Sequence, residues 1–193
     1  MKMRAFEDYE STPEYEYVES VKLPAGAYEV TIKRAEESDN ALCILFDISA
    51  GEYKDFFINK FNADKKAFPE NAKFKGVLRL WYANGSQYDD STKKRMKTTL
   101  KRIKESNHLN VDFSKEWDGA ALKGAKVGMI FRDQEYDYNG HHGFTAQPYS
   151  IITLEDLRAG KFTVPQPKRL NGSGTAAAGG DFADLASDDD LPF

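Results

Sequence analysis

After the turn signal Leu23-Pro24-Ala25-Gly26, apolar Tyr28, Val30 and Ile32 alternate with polar Glu29, Thr31 and Lys33. That period of two predicts a half-buried strand over 26–35. The polar turn Glu36 to Asn40 leads into the apolar run Ala41-Leu42-Cys43-Ile44-Leu45-Phe46, so a second strand is expected over 41–49. Ala50-Gly51-Glu52 then turns the chain into a third strand expected over 53–61, and three sequential strands with short turns predict an antiparallel meander. Residues 62–75, with four lysines and Pro69, read as a polar loop. From Gly76 to Tyr82, the residues Leu78, Leu80 and Tyr82 alternate with Val77, Arg79 and Trp81, which favours a strand, with a short helix as the alternative.

One long helix is expected over 89–106. Asp89 to Ser91 offer an N-cap, Met96, Leu100 and Ile103 recur on one face, and the other face carries Lys93, Lys94, Arg95, Lys97, Lys101, Arg102 and Lys104. A strand follows over 126–132, and a hairpin through Asn139-Gly140 returns over 144–152. A helical turn is expected over 153–158. The fold class expected from this order is mainly β with one long helix. It suits an OB-fold-like, five-stranded antiparallel barrel, the small Greek-key architecture that binds oligonucleotides, followed by a disordered C-terminal tail.

Composition divides the chain. Residues 1–20 are acidic and bear Tyr9, Tyr15 and Tyr17, and read as an arm or an edge strand; 21–164 form the domain, 165–180 a Pro- then Gly/Ala-rich linker, and 181–193 an acidic tip. At 193 residues with 40% hydrophobic and 30% charged, the chain supports one core and loose ends. No apolar stretch near the N-terminus suggests a secretory signal or membrane span. The lone Cys43 lies in an apolar run and reads as a buried small hydrophobe, without a disulfide. The net charge of −4 conceals an uneven distribution. The tip from Asp181 holds five Asp and no base, and residues 1–20 hold six acids against two bases, which leaves +5 on residues 21–180. A mildly basic body is compatible with phosphate binding, because binding follows local cation clusters and not whole-chain charge.

Unpaired nucleotides are held by cations along the phosphates and by flat side chains under the bases. The body interleaves the two. Lys54, Phe56 and Lys60 occur in the expected third strand, Lys65, Lys66, Lys73 and Lys75 in the polar loop, and Arg79 with Trp81 in the next strand. Arg132, Tyr136, Tyr138, His141 and His142 surround the hairpin, whose exposed turn makes it the foremost candidate. Enzymatic patterns are absent: Asn171-Gly172-Ser173-Gly174-Thr175 lacks the lysine of a phosphate loop, and the adjacent histidines have no metal-ligand spacing. No catalysis, cofactor or metal is expected.

The chain closes on Asp188-Asp189-Asp190-Leu191-Pro192-Phe193 after a Gly/Ala/Ser-rich linker. Hydrated aspartates keep this segment out of a core, while Leu191 and Phe193 offer apolar anchors. The tip resembles the acidic C-terminal tip of bacterial single-stranded-DNA-binding proteins; the resemblance covers these six residues and no more. It implies partners such as bacterial helicases, primase and recombination or repair proteins. In that role Phe193 fills an apolar pocket, its carboxylate pairs with Arg or Lys, and Asp188 to Asp190 steer the approach. The expectation is a protein that coats single-stranded DNA and recruits replication, recombination or repair proteins, cytoplasmic and nucleoid-associated in a bacterial cell, of phage or mobile-element type. The alternative is an adaptor that occupies those partners through the tip and binds no DNA itself.

Overall fold

The computed structural model describes residues 4–5, 7–12, 21–38, 40–138 and 141–170. One antiparallel sheet holds β1 (Gly26–Ser38), β2 (Ala41–Ile48), β3 (Val77–Trp81), β4 (Lys126–Tyr138) and β5 (His141–Ile152) in the order β3-β2-β1-β4-β5. Among the described residues three helices accompany it: α1 (Phe56–Ala67), α2 (Asp89–Asn107) and α3 (Leu154–Arg158), with a 3-10 turn at Gly119–Leu122. The antiparallel, mainly β expectation holds. Its finer parts need correction, because α1 joins the expected long helix, α2, and the expected helical turn, α3, and the sheet is open. Its edge strands β3 and β5 approach one another but form no ladder.

β1 is central because its two halves pair differently. Gly26 to Thr31 lie against β4, Val30 to Ser38 lie against β2, and the register shifts between Ile32 and Arg34. Such an irregularity bends a strand, letting one strand serve two neighbours. The alternation seen in the sequence puts Val30 and Ile32 in the core with Ile44, Phe46, Ile48, Val127, Met129 and Phe131. Cys43 is buried, as expected.

The strand expected over 53–61 is instead a turn and the first half of α1, and the helix also takes up the first part of the expected polar loop. The chain reverses through Gly51 and Asp55, both in the left-handed region at φ +83° and +59°. The helix start is then capped from β2. Asp47, 1% exposed, accepts from the Phe57 N–H at 3.0 Å and its own neighbour Ile48 N–H at 2.9 Å through Oδ1, and from the Ile58 N–H at 3.0 Å through Oδ2. A carboxylate there satisfies amides that the first helical turn leaves orphaned, and meets the positive end of the helix dipole. Helical winding turns Phe57 inward, edge-on to Phe46 and stacked on Phe131 at 6.0 Å. The return to β3 passes close under β2. The Phe46 N–H donates to the Gly76 carbonyl at 2.8 Å, and a Cβ at position 76 would clash with the Phe46 carbonyl.

α2 buries Thr99, Leu100 and Ile103, with Met96 packed beside them, close to the expected apolar face. Two of its cations are structural. Arg95 donates to the Tyr149 carbonyl at 3.1 Å and Arg102 to the Ile151 carbonyl at 2.6 Å, both on edge strand β5. α3 is capped by Thr153, whose hydroxyl accepts from the Asp156 N–H at 3.1 Å.

Glu29 joins four parts of the fold. It accepts from Lys126 of β4 at 3.2 Å and from Ser49 after β2 at 3.2 Å, and pairs with Arg158 of α3 at 3.5 Å. Burial pushes its carboxyl up, but the bonds from Lys126, Ser49 and Arg158 outweigh burial and hold it below the usual carboxylate range.

Replacing Asp47 by Ala strands the α1 amides, and the expected loss is about 2–3 kcal/mol in urea unfolding; a loss below about 0.5 kcal/mol would remove Asp47 from this role. For Glu29, a folded pKa lowered from the unfolded value gives a contribution present above the ordinary carboxylate range and lost as pH falls through the lowered value. A Glu29→Gln variant therefore shows a flatter acid limb than wild type when unfolding is measured from neutral pH down to about pH 3; parallel acid limbs would refute the linkage.

Candidate nucleic-acid interface

β4 and β5 extend beyond β1, whose pairing with β4 ends at Phe131. From there the two strands run on as a hairpin arm, paired from Arg132↔Gln147 to Tyr138↔His141. The expected turn residues Asn139 and Gly140 lie outside the described residues, and the strands on either side pair as far as Tyr138 and His141. The arm is fixed at its root by the C-terminal segment. Lys168 donates its N–H to the Asp133 carbonyl and accepts from the Glu135 N–H, each at 2.8 Å, on the β4 edge that β1 has left.

Cross-strand pairing sorts the arm into two unlike faces. Arg132, Gln134, Tyr136 and Tyr138 share one face with Gln147, Thr145, Gly143 and His141. Asp133, Glu135 and Asp137 share the other with Ala146, Phe144 and His142. The first face is aromatic. The Arg132 guanidinium lies 4.8 Å from the Tyr149 ring centroid, the Tyr136 ring crosses over Gly143, and Tyr138 is 64% exposed. Gly143 provides the gap that the Tyr136 ring fills. The second face is acidic: His142 Nδ1 sits 3.4 Å from Asp137 Oδ2, and Arg169 lies over Phe144 at 6.0 Å.

Arg132, Tyr136, Tyr138 and His141 are thus brought together, while His142 is turned away to the acidic face. Tyr149 completes the aromatic face and was not singled out in the sequence; its only signal was an aromatic two residues beyond Gln147 on the returning strand.

Arg79 and Trp81 form a second exposed surface on β3, opposite Cys43 and Ala41 of β2. Beside them the Tyr82 phenol is raised by partial burial and by the nearby Glu37 carboxylate. This surface lies at the opposite end of β1 from the arm. Trp81 pairs with Ala41 at the Ser38 end of β1, and the arm leaves from the Gly26 end. β1 has thirteen residues, roughly 40 Å of strand path.

The remaining cations follow α1. Lys54 is exposed in the turn before the helix, Lys60 is half-buried on it, Lys65 and Lys66 are exposed in its last turn, and Lys73 and Lys75 are exposed on the return to β3. Phe56 is half-buried between Tyr53 and Phe57 and packs on the core. A second residue missed from sequence, Phe68, caps α1 and is 58% exposed among these lysines. Its signal was an aromatic directly after Lys65-Lys66-Ala67 and before Pro69.

Among the described residues no group of three His, Cys, Asp or Glu side chains is placed to hold a metal ion, and no helix is long and apolar enough to cross a membrane. The tip from Asp188 to Phe193 lies outside the described residues. No protein-family model matches this chain, and no curated protein matches it significantly.

Proposed function

We propose that this chain binds single-stranded DNA through an OB-like body and recruits replication, recombination or repair proteins through its acidic tip. The observation that carries the reading is the aromatic face of the arm, where Tyr136 and Tyr138 stand exposed above an Arg132–Tyr149 stack. Flat side chains on an exposed hairpin can stack on unpaired bases, which duplex DNA keeps inside its own stack. The strand order supports the OB comparison. The chain crosses from edge strand β3 to the inner strand β4 while carrying α2, and bridging β3 to β5 would turn the sheet into a partly open five-stranded Greek-key barrel. In that architecture oligonucleotides lie on the face of the second and third strands and on the loop between the last two, which here correspond to Arg79, Trp81 and the arm.

Anisotropy of labelled oligo(dT), beside a duplex of equal length over a salt series, tests the body. Tight binding to the single strand that weakens with salt is expected. Tyr136→Ala and Tyr138→Ala should each weaken it by about 1–3 kcal/mol, with little change in the urea midpoint. Absence of binding at every salt concentration would overturn the reading and leave the adaptor role of the tip.

The tip is tested separately. Removing Leu191 to Phe193 takes away the apolar anchors that a partner pocket would bury, so recruitment of the host helicase or primase should be lost while oligo(dT) affinity is kept. Equal recruitment by the truncated chain would sink the tip's assignment.

A further inference from the structure

We infer that the groove beside Phe68 is a second nucleotide-binding subsite, which seats a base on the Phe68 ring and the adjoining phosphates on Lys73 and Lys75. The inference rests on the single-stranded-DNA reading above and extends it to a surface well away from the arm. The groove is an open cavity of about 510 Å³, lined by Asp64, Phe68, Asn71, Ala72, Lys73 and Lys75, within the size range that admits a small ligand.

Its backbone is tied down while its ring is not. The Phe68 N–H donates to the Asp64 carbonyl at 2.7 Å, and the Phe68 carbonyl accepts from the Asn71 and Ala72 N–H groups, each at 3.1 Å. A ring held on a fixed turn yet 58% exposed gains nothing from the core and costs apolar surface in water. A base stacked on it would remove that cost.

The occupant follows from charge. Lys73 and Lys75 line the groove with the ring, Lys65 and Lys66 stand in the last turn of α1 just before it, and among the described residues none of the four makes an ion pair or side-chain hydrogen bond. Their only acidic neighbours in sequence are Asp64 and Glu70, so the patch keeps a surplus of positive charge. An exposed aromatic that shares its groove with two such cations suits a base with its flanking phosphates better than an apolar peptide, which would leave the lysines without partners. Asn71 adds an amide that can donate to or accept from a base edge.

The subsite also has a place in the footprint. α1 begins beside Phe131 at the root of the arm and ends at Phe68; twelve helical residues span about 18 Å. A strand seated on the arm would reach the groove only if it continued several nucleotides further.

The experiment measures oligo(dT) affinity as a function of length for wild type and Phe68→Ala, with Phe68→Trp as a direct reporter. The variant should bind short oligomers like wild type and long ones about 5- to 150-fold more weakly, the range one lost base stack gives. The tryptophan of Phe68→Trp should be quenched by long oligomers only, after subtraction of the wild-type signal. If wild type binds oligo(dT) but Phe68→Ala matches it at every length and the new tryptophan stays unquenched, the subsite is refuted and the arm's role stands. If wild type binds no oligo(dT), the broader reading fails and the subsite fails with it.

Discussion

A single buried carboxylate decides how this chain is threaded. Asp47, next to last in β2, has its side chain closed from water, and it accepts from three backbone amides, two of them in the first turn of α1. A carboxylate buried without partners would cost several kcal/mol, so the chain after β2 must bring donors back to it. Winding into a helix does so, whereas a third strand beside β2 would carry those amides away. The helix in turn sets Phe57 between Phe46 and Phe131, a burial that contributes about 1.5–3 kcal/mol. It also delays the third strand to Val77, which reaches β2 through the close passage at Gly76.

Two of the strand edges that the sheet leaves unpaired are managed differently. β5 gives the carbonyls of Tyr149 and Ile151 to two arginines of α2, so the edge that could have closed the sheet is met by side chains. On the other side, β1 stops pairing at Phe131, and β4 would continue with bare amides but for Lys168. A two-stranded hairpin is marginal by itself in water. Bracing at the root is therefore what makes the arm a platform, and it fixes which side chains stand on which face.

Much of this was legible in the sequence where one period governs. The alternation around Val30 and Ile32, the apolar run of β2 and the spacing of Leu100 and Ile103 in α2 each report a local rule, and the corresponding elements lie where those rules put them. Residues 53–61 depart from the strand expected there because their aromatics fit both periods. The arbiter, Asp47, is ten residues upstream of Phe57, beyond the reach of a pattern window. The same limit applies to the site. Grouping Arg132, Tyr136 and Tyr138 follows from strand alternation, and so does the separation of His141 from His142. That Tyr149 lies under Arg132 depends on the register shift at Ile130/Phe131, which no composition reveals. Nor does composition reveal that Arg95 and Arg102 are consumed by β5 and unavailable as solvated charge.

The placement of charge constrains how any polyanion would approach. On the arm, Asp133, Glu135 and Asp137 occupy one face, so phosphates are repelled there and the Arg132 face is the open side. That face offers one guanidinium already stacked on a ring, with little further positive charge, so contact on the arm must draw mainly on stacking. Lysines are concentrated instead along and beyond α1, where Phe68 is exposed and Phe56, Phe61 and Phe74 are half-buried. The two ingredients of single-strand binding are thus unevenly divided between the arm and the α1 patch, and neither surface supplies both in quantity. A ligand drawing on both must be long enough to join them, and its affinity must rise with length and fall with salt for separate physical reasons: added stacking partners in the first case, counterion release in the second.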